Sequence, residues 1–182
     1  MSLSPPQLNL TWITEQLAVG GRYPMEAAAH LAEALGIRRV VDVRVEEVDD
    51  EAVLRTHGIE LLHLPTVDMR AISVPMLHDG VAWVNAQLDG GHRVYIHCEH
   101  GIGRSALLSL CVLVSRGMAP LEALERAKTA RPVVSPSPEQ LGAFLSWMRE
   151  WRAGREARWE EPSLEALMII AYRHLRGAPA TR

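Results

Sequence analysis

Cysteine is scarce in this sequence: 182 residues carry two, Cys98 and Cys111. Two thiols cannot build the disulfide framework of a small secreted domain, and no further Cys or His pair stands beside them at zinc-ligand spacing. Lysine is scarcer still. Lys128 stands alone among many Arg and Ala, a bias that fits a GC-rich coding sequence. There is no excess of positive charge either: the net charge is −3, which leaves no electrostatic footprint for nucleic acid and disfavours polyanionic partners. Apolar runs such as LCVLV at 110–114 fall far short of the roughly 20 residues that cross a bilayer. The opening MSLSPPQLNL has neither the basic start nor the apolar stretch of a signal peptide. These absences lead to the expectation of a cytoplasmic protein in a reducing compartment, with neither membrane nor nucleic acid among its partners.

What is present is the composition of a globular domain, with 48% hydrophobic and 23% charged residues. NLTWI and LAVGG, joined around Thr14–Gln16, predict an opening hairpin. Helical patterns over 24–36, 46–58, 75–91 and 119–131 alternate with apolar strand patterns over 38–44, 59–64 and 93–97. Alternation of this kind predicts an α/β fold with a central, mostly parallel sheet of about four to five strands flanked by helices. Ser137, Pro138 and Gln140 have the order of a capping box that opens a further helix. A charged link over 152–162 precedes a last amphipathic stripe, Leu164, Leu167, Met168, Ala171, Tyr172 and Leu175. The expected division is a catalytic domain over 1–158 and a helical extension over 159–182, packed on its own domain rather than on a membrane.

One stretch does not fit a purely structural reading. In YIHCEHGIGRSALL, residues 95–108, a strand ends at His97 and an all-round apolar helix begins near Gly103. Gly101 and Gly103 permit the tight turns by which successive N–H groups converge. Such a nest at a helix N-terminus binds anions, phosphate above all. It is neither a Walker motif, since no Lys-Ser or Lys-Thr follows, nor a dinucleotide fingerprint. Cys98 sits at the base of this loop and Arg104 at its end. A helix N-terminus beside a cation is the setting in which a thiol becomes a thiolate at neutral pH. The Arg fork can also hold two phosphoryl oxygens at once. Nest, cation and nucleophile together point to attack on phosphorus.

HCEHGIGRS, residues 97–105, resembles the signature of the Cys-based protein tyrosine phosphatase superfamily, His-Cys-x-x-Gly-x-x-Arg-Ser/Thr, at every fixed position. The short chain looks like the dual-specificity branch, and the similarity runs from about Trp12 to Trp151. The resemblance implies that Cys98 forms a phosphocysteine, that Arg104 binds the phosphoryl group and that Ser105 helps the thiolate leave. It implies that Glu99, His100, Gly101, Ile102 and Gly103 line the phosphate loop and that His97 orients it. Loss of an alkoxide or phenoxide also wants a general acid, and the resemblance implies an Asp on a loop about thirty residues before the Cys; Asp68, in PTVDMRAISVP, stands there. Asp79 is the weaker rival, since it falls within a helix pattern. No metal and no cofactor are implied, because the Arg and the backbone do the electrostatic work.

Beside these stand blander readings. Cys111 reads as core. Arg44 and Arg131 line the pocket or tie the fold together, and Ser137 and Gln140 position water or simply cap their helix. Glu99 replaces the Lys found in phosphoinositide-directed relatives, so repulsion should disfavour lipid and inositol-phosphate substrates. The expected function is hydrolysis of phosphomonoesters in proteins, phosphotyrosine first and phosphoserine or phosphothreonine if the pocket is shallow. The alternatives are a small phosphorylated metabolite, a nucleotide or RNA 5′ phosphate, or a non-catalytic phosphoprotein-binding module.

Overall fold

Strand β5 (Arg93–His97) shows how the sheet divides the molecule. Val94 and Ile96 enter one apolar core and Tyr95 the other, because successive side chains on a strand point to opposite faces. β3 (Ile37–Arg44) behaves alike over its second half, with Val41 and Val43 facing one way and Val40 the other; a register shift between Ile37 and Arg39 brings Ile37 to the side of Val40. A computed structural model describes residues 7–175 of this chain. Its sheet has five strands in the order β1-β2-β5-β3-β4, where β1 is Leu10–Trp12, β2 Leu17–Gly20 and β4 Glu60–Thr66. β1 and β2 form the antiparallel hairpin, and the other three pairings are parallel. Pro65 lies in β4 without breaking a second ladder, because β4 is the sheet edge.

Helices cover both faces. α1 (Ala28–Glu33) and α2 (Glu51–Thr56) bury Leu31 and Leu54 in the smaller core with Tyr95. α3 (Val74–Asp89), α4 (Arg104–Ser115), α5 (Pro120–Ala130) and α6 (Pro138–Arg152) build the larger one. Every residue of α4 from Arg104 to Val114 is buried, as its all-round apolar pattern predicts. The capping box forms: the Ser137 hydroxyl accepts from the Gln140 N–H, and the Gln140 side chain accepts from the Ser137 N–H. α7 (Leu164–Ala171) packs on α5 and α6 with Leu167 and Ala171 fully buried, and a short 3-10 turn, Arg173–Leu175, follows it. The part of the expected extension over 176–182 lies outside the described residues. Among the described residues no helix is long and apolar enough to cross a membrane.

One element differs from the sequence reading in a way that matters. The polar pattern over 46–58 predicts one helix, yet α2 begins only at Glu51. Asp50 is its N-cap, accepting from the N–H groups of Ala52 and Val53, and a residue so engaged keeps extended backbone. Asp49 is pulled inward instead, to 4% exposure, by Arg44, Tyr23 and His97. Residues 46–50 therefore form a loop at the C-terminal end of β3, where open α/β sheets place their ligands.

Candidate active site

β5 delivers His97 to the sheet end, and the chain then turns through residues 98–103 into α4. Gly101 makes the turn possible. Its φ is +69°, and a Cβ there would lie 2.4 Å from the Gly20 carbonyl carbon. The turn aims its own N–H at Cys98, 3.2 Å from Sγ. The Ser105 hydroxyl lies 3.3 Å from the same sulfur and 3.4 Å from the Gly20 carbonyl, so one rotation moves its proton between the two. Cys98 itself is 3% exposed, at the base of a pocket of about 220 Å³. Arg131 braces the loop from behind: its guanidinium donates to the carbonyls of Gly101 at 2.8 Å and His100 at 2.9 Å.

Arg104 projects from the first turn of α4 into this pocket. Its two terminal nitrogens donate to the Glu46 carboxylate at 2.8 and 2.6 Å. One of them also donates to the Thr66 carbonyl at 2.8 Å, and the other lies 3.0 Å from Asp68 Oδ1. The Arg104 hydrogen bonds hold the Glu46 carboxyl down to about 2. A planar carboxylate thus occupies the fork that suits two oxygens of a phosphoryl group.

Behind the loop lies a second polar cluster. His97 Nε2 is 2.8 Å from Asp49 Oδ2, and the Tyr23 hydroxyl donates to that oxygen at 2.6 Å. Arg44 donates to both oxygens of Asp42 at 3.0 Å and to Asp49 at 2.9 Å. Burial alone would raise the Asp49 carboxyl. The hydrogen bond and charge of His97, the Tyr23 hydroxyl and Arg44 outweigh burial and hold it low. Burial and the neighbouring Asp49 push the Tyr23 phenol well above its ordinary range. Asp42, Asp49 and His97 converge closely enough for a metal ion, but Arg44 already supplies the positive charge between the two carboxylates.

The chain is similar to known proteins. The family model described as "Polymorphic toxin system, DSP-PTPase phosphatase" matches residues 21–118, more than half of the chain. The chain belongs to this phosphatase family. The "Phosphatidylglycerophosphatase and protein-tyrosine phosphatase 1" of Rattus norvegicus is 34% identical over 95 residues, 51% of this chain and 49% of the relative. Mouse (Mus musculus) dual specificity protein phosphatase 2 is 28% identical over 118 residues, 62% of this chain and 35% of the relative. The chain spans about half the length, or less, of these curated relatives. Among solved structures, Tk-PTP in its active form superposes with a TM-score of 0.71 at 26% identity, covering 78% of this chain and 97% of its own. PTPMT1 in complex with PI(5)P gives 0.75 at 24% identity, covering 80% and 98%, a likeness of fold alone.

Set against the family signature, the structure brings Cys98, Arg104, Ser105 and Asp68 together. His100, Ile102 and Gly103 line the pocket. Glu99 does not: its carboxylate pairs with Arg22 at 3.0 Å and Arg44 at 3.5 Å. Its charge is therefore compensated, and the expected repulsion of inositol phosphates loses its basis. Asp79 is exposed on α3, apart from the pocket-lining residues. Arg44 and Arg131 are ties rather than pocket residues. Both side-chain ends of Gln140 are engaged, with the Ser137 N–H and with the Arg70 carbonyl at 3.0 Å, which fastens the Asp68 loop to α6. Sequence reasoning missed Glu46, Asp49 and Tyr172, which lines the pocket from beyond α7. The available signal for the first two was an acidic run, EEVDD, placed directly after a buried strand.

Proposed function

We propose that this protein hydrolyses phosphomonoesters through a phosphocysteine intermediate. The reading rests on one observation above others: an N–H and a hydroxyl converge on Cys98 Sγ, beside a guanidinium whose carboxylate partners are exposed and replaceable. In the first step the Cys98 thiolate attacks phosphorus and the P–O bond to the leaving group breaks. Arg104 and the loop N–H groups take the equatorial oxygens, displacing Glu46 and Asp68 from the fork. Asp68, released from Arg104 and acting in its protonated form, gives that proton to the leaving oxygen and is left as the carboxylate. In the second step Asp68 takes a proton from water, whose oxygen attacks phosphorus. The S–P bond breaks, and Ser105 donates its hydroxyl proton as a hydrogen bond to the departing thiolate. His97, held by Asp49, positions the loop and exchanges no proton with substrate.

The catalytic unit is read as residues 1–158 with 159–182 as an extension, and the packing of α7 on α5 and α6 supports this division. The substrate class is phosphotyrosine in proteins, with phosphoserine and phosphothreonine behind it. A small phosphorylated metabolite or nucleotide is the second reading, and the compensated charge of Glu99 adds a phospholipid headgroup to it. A reactive thiolate belongs in a reducing compartment, which supports the cytoplasm.

The test is steady-state hydrolysis of 4-nitrophenyl phosphate in EDTA, comparing wild type with Cys98→Ser. Turnover is expected in the wild type and background rates in the variant. Turnover that survives the substitution would overturn the phosphocysteine mechanism, and none from folded wild type would overturn the catalytic reading and favour a phosphoprotein-binding module.

A further inference from the structure

Tyr172 sits far from the phosphate loop in sequence and against it in space. The pocket above Cys98 is also lined by Tyr172, Met69 and Ile102, none of them buried. Met69 and Ile102 are 68% and 39% exposed, so large apolar surfaces are left open at the rim where a substrate's organic part must lie. Tyr172 is anchored there. Its hydroxyl donates to the Pro136 carbonyl at 2.9 Å, and the adjoining Ser135 N–H donates to the Ile102 carbonyl of the phosphate loop at 2.9 Å. Lys128 clamps the same segment from below, donating to the Val134 carbonyl at 2.7 Å and lying 2.9 Å from His174 Nδ1. Leu167 and Ala171, fully buried, fix the preceding helix. The ring is thus in place before any ligand arrives, which removes the ordering cost of closing a wall. Tyr172 also lies outside residues 21–118, so the matched family segment does not account for it.

We propose that Tyr172 is a specificity-determining wall that selects monoesters carried on a flat aromatic ring, phosphotyrosine above phosphoserine. The proposal rests on the phosphatase reading for where the phosphoryl group sits, and deepens it by naming the residue that selects among its substrates. With phosphorus over Cys98, the ester oxygen points outward and the next atoms reach the level of Tyr172, Met69 and Ile102. An aryl ring there meets an aromatic face or edge and a thioether. A serine methylene is too short to do so.

Binding reads this preference without turnover. The full-length Cys98→Ser protein, in EDTA, is titrated calorimetrically with O-phospho-L-tyrosine and with O-phospho-L-serine. Phosphotyrosine should bind more tightly. Adding Tyr172→Ala should weaken it about 5- to 10-fold and leave phosphoserine nearly unchanged. Tyr172→Phe keeps the ring, loses the Pro136 bond and should restore most of the preference, which separates the wall from a merely structural role. Equal losses on both ligands, an unchanged preference in Tyr172→Ala, or no preference at the outset would each overturn the proposal. Binding without any wild-type turnover would remove the catalytic reading alone, because the preference stays measurable; binding of neither ligand would remove both.

Discussion

Arg44 and Arg104 look alike in isolation. Each is 2% exposed, and each guanidinium is gripped by carboxylates. The difference lies in what holds them. The principal partners of Arg44, Asp42 and Asp49, have side chains 0% and 1% exposed. Those of Arg104, Glu46 and Asp68, are 37% and 58% exposed. A buried pair has no water to fall back on, so breaking it leaves an uncompensated charge. An exposed carboxylate that is released regains its hydration, so its grip is weak and exchangeable. The same side chain is therefore a tie in one place and, on the proposed function, a docking fork in the other, and the partners' access to water decides which.

The comparison breaks most visibly at Arg44. Arg44→Ala strands two buried carboxylates and should cost about 3–5 kcal/mol of stability, read from the urea midpoint at unchanged slope. That cost is tied to pH through Asp49. Its carboxyl is held below its unfolded value, so the stability it contributes is present above about pH 4 and is lost as pH falls below that. In Arg44→Ala this acid-side loss should shrink. Arg104→Ala should do the reverse: stability within about 1 kcal/mol of wild type, and kcat on an aryl phosphate down about 10²- to 10³-fold. If the two substitutions cost similar stability, the distinction drawn from partner exposure fails. The smallest effect tests Asp68, which must leave Arg104 to act. Asp68→Asn should melt like wild type and lose about 10²-fold in kcat on an alkyl phosphate, far less on 4-nitrophenyl phosphate, whose leaving group needs no proton. Equal losses on both esters would assign Asp68 to binding instead.

The two clusters also differ in how readable they were. Cys98, Arg104 and Ser105 are bound by local geometry, since a strand, a nest and a helix start must follow one another within a few residues, and that spacing is written in the chain. Asp68 was legible because its loop follows a strand beside the site. Glu46 and Asp49 were not. Their neighbours suit a helix, and only the inward pull of Tyr23, His97 and Arg44, which come from three separate strands or loops, holds residues 46–50 out of it. Glu99 misled because its charge was read without Arg22, a residue the fold brings across from the end of the opening hairpin. Tyr172 falls on a helical stripe that looks like core, and nothing local distinguishes the stripe position that meets solvent from the one that meets a ligand. The alternating elements, by contrast, gave the sheet and its layers, because burial on two faces imposes a pattern on every strand.

The position of Tyr172 in the chain also sets an order of events during synthesis. At roughly 5–20 residues per second, the ribosome releases the thiol, the guanidinium and Asp68 several seconds before Tyr172, which lines their pocket. For that interval the nascent chain holds its reactive sulfur in an unfinished cup. On the role proposed for Tyr172, discrimination between esters arrives only once α7 has been translated, so a chain truncated before α7 would lack the wall even where its phosphate loop had formed.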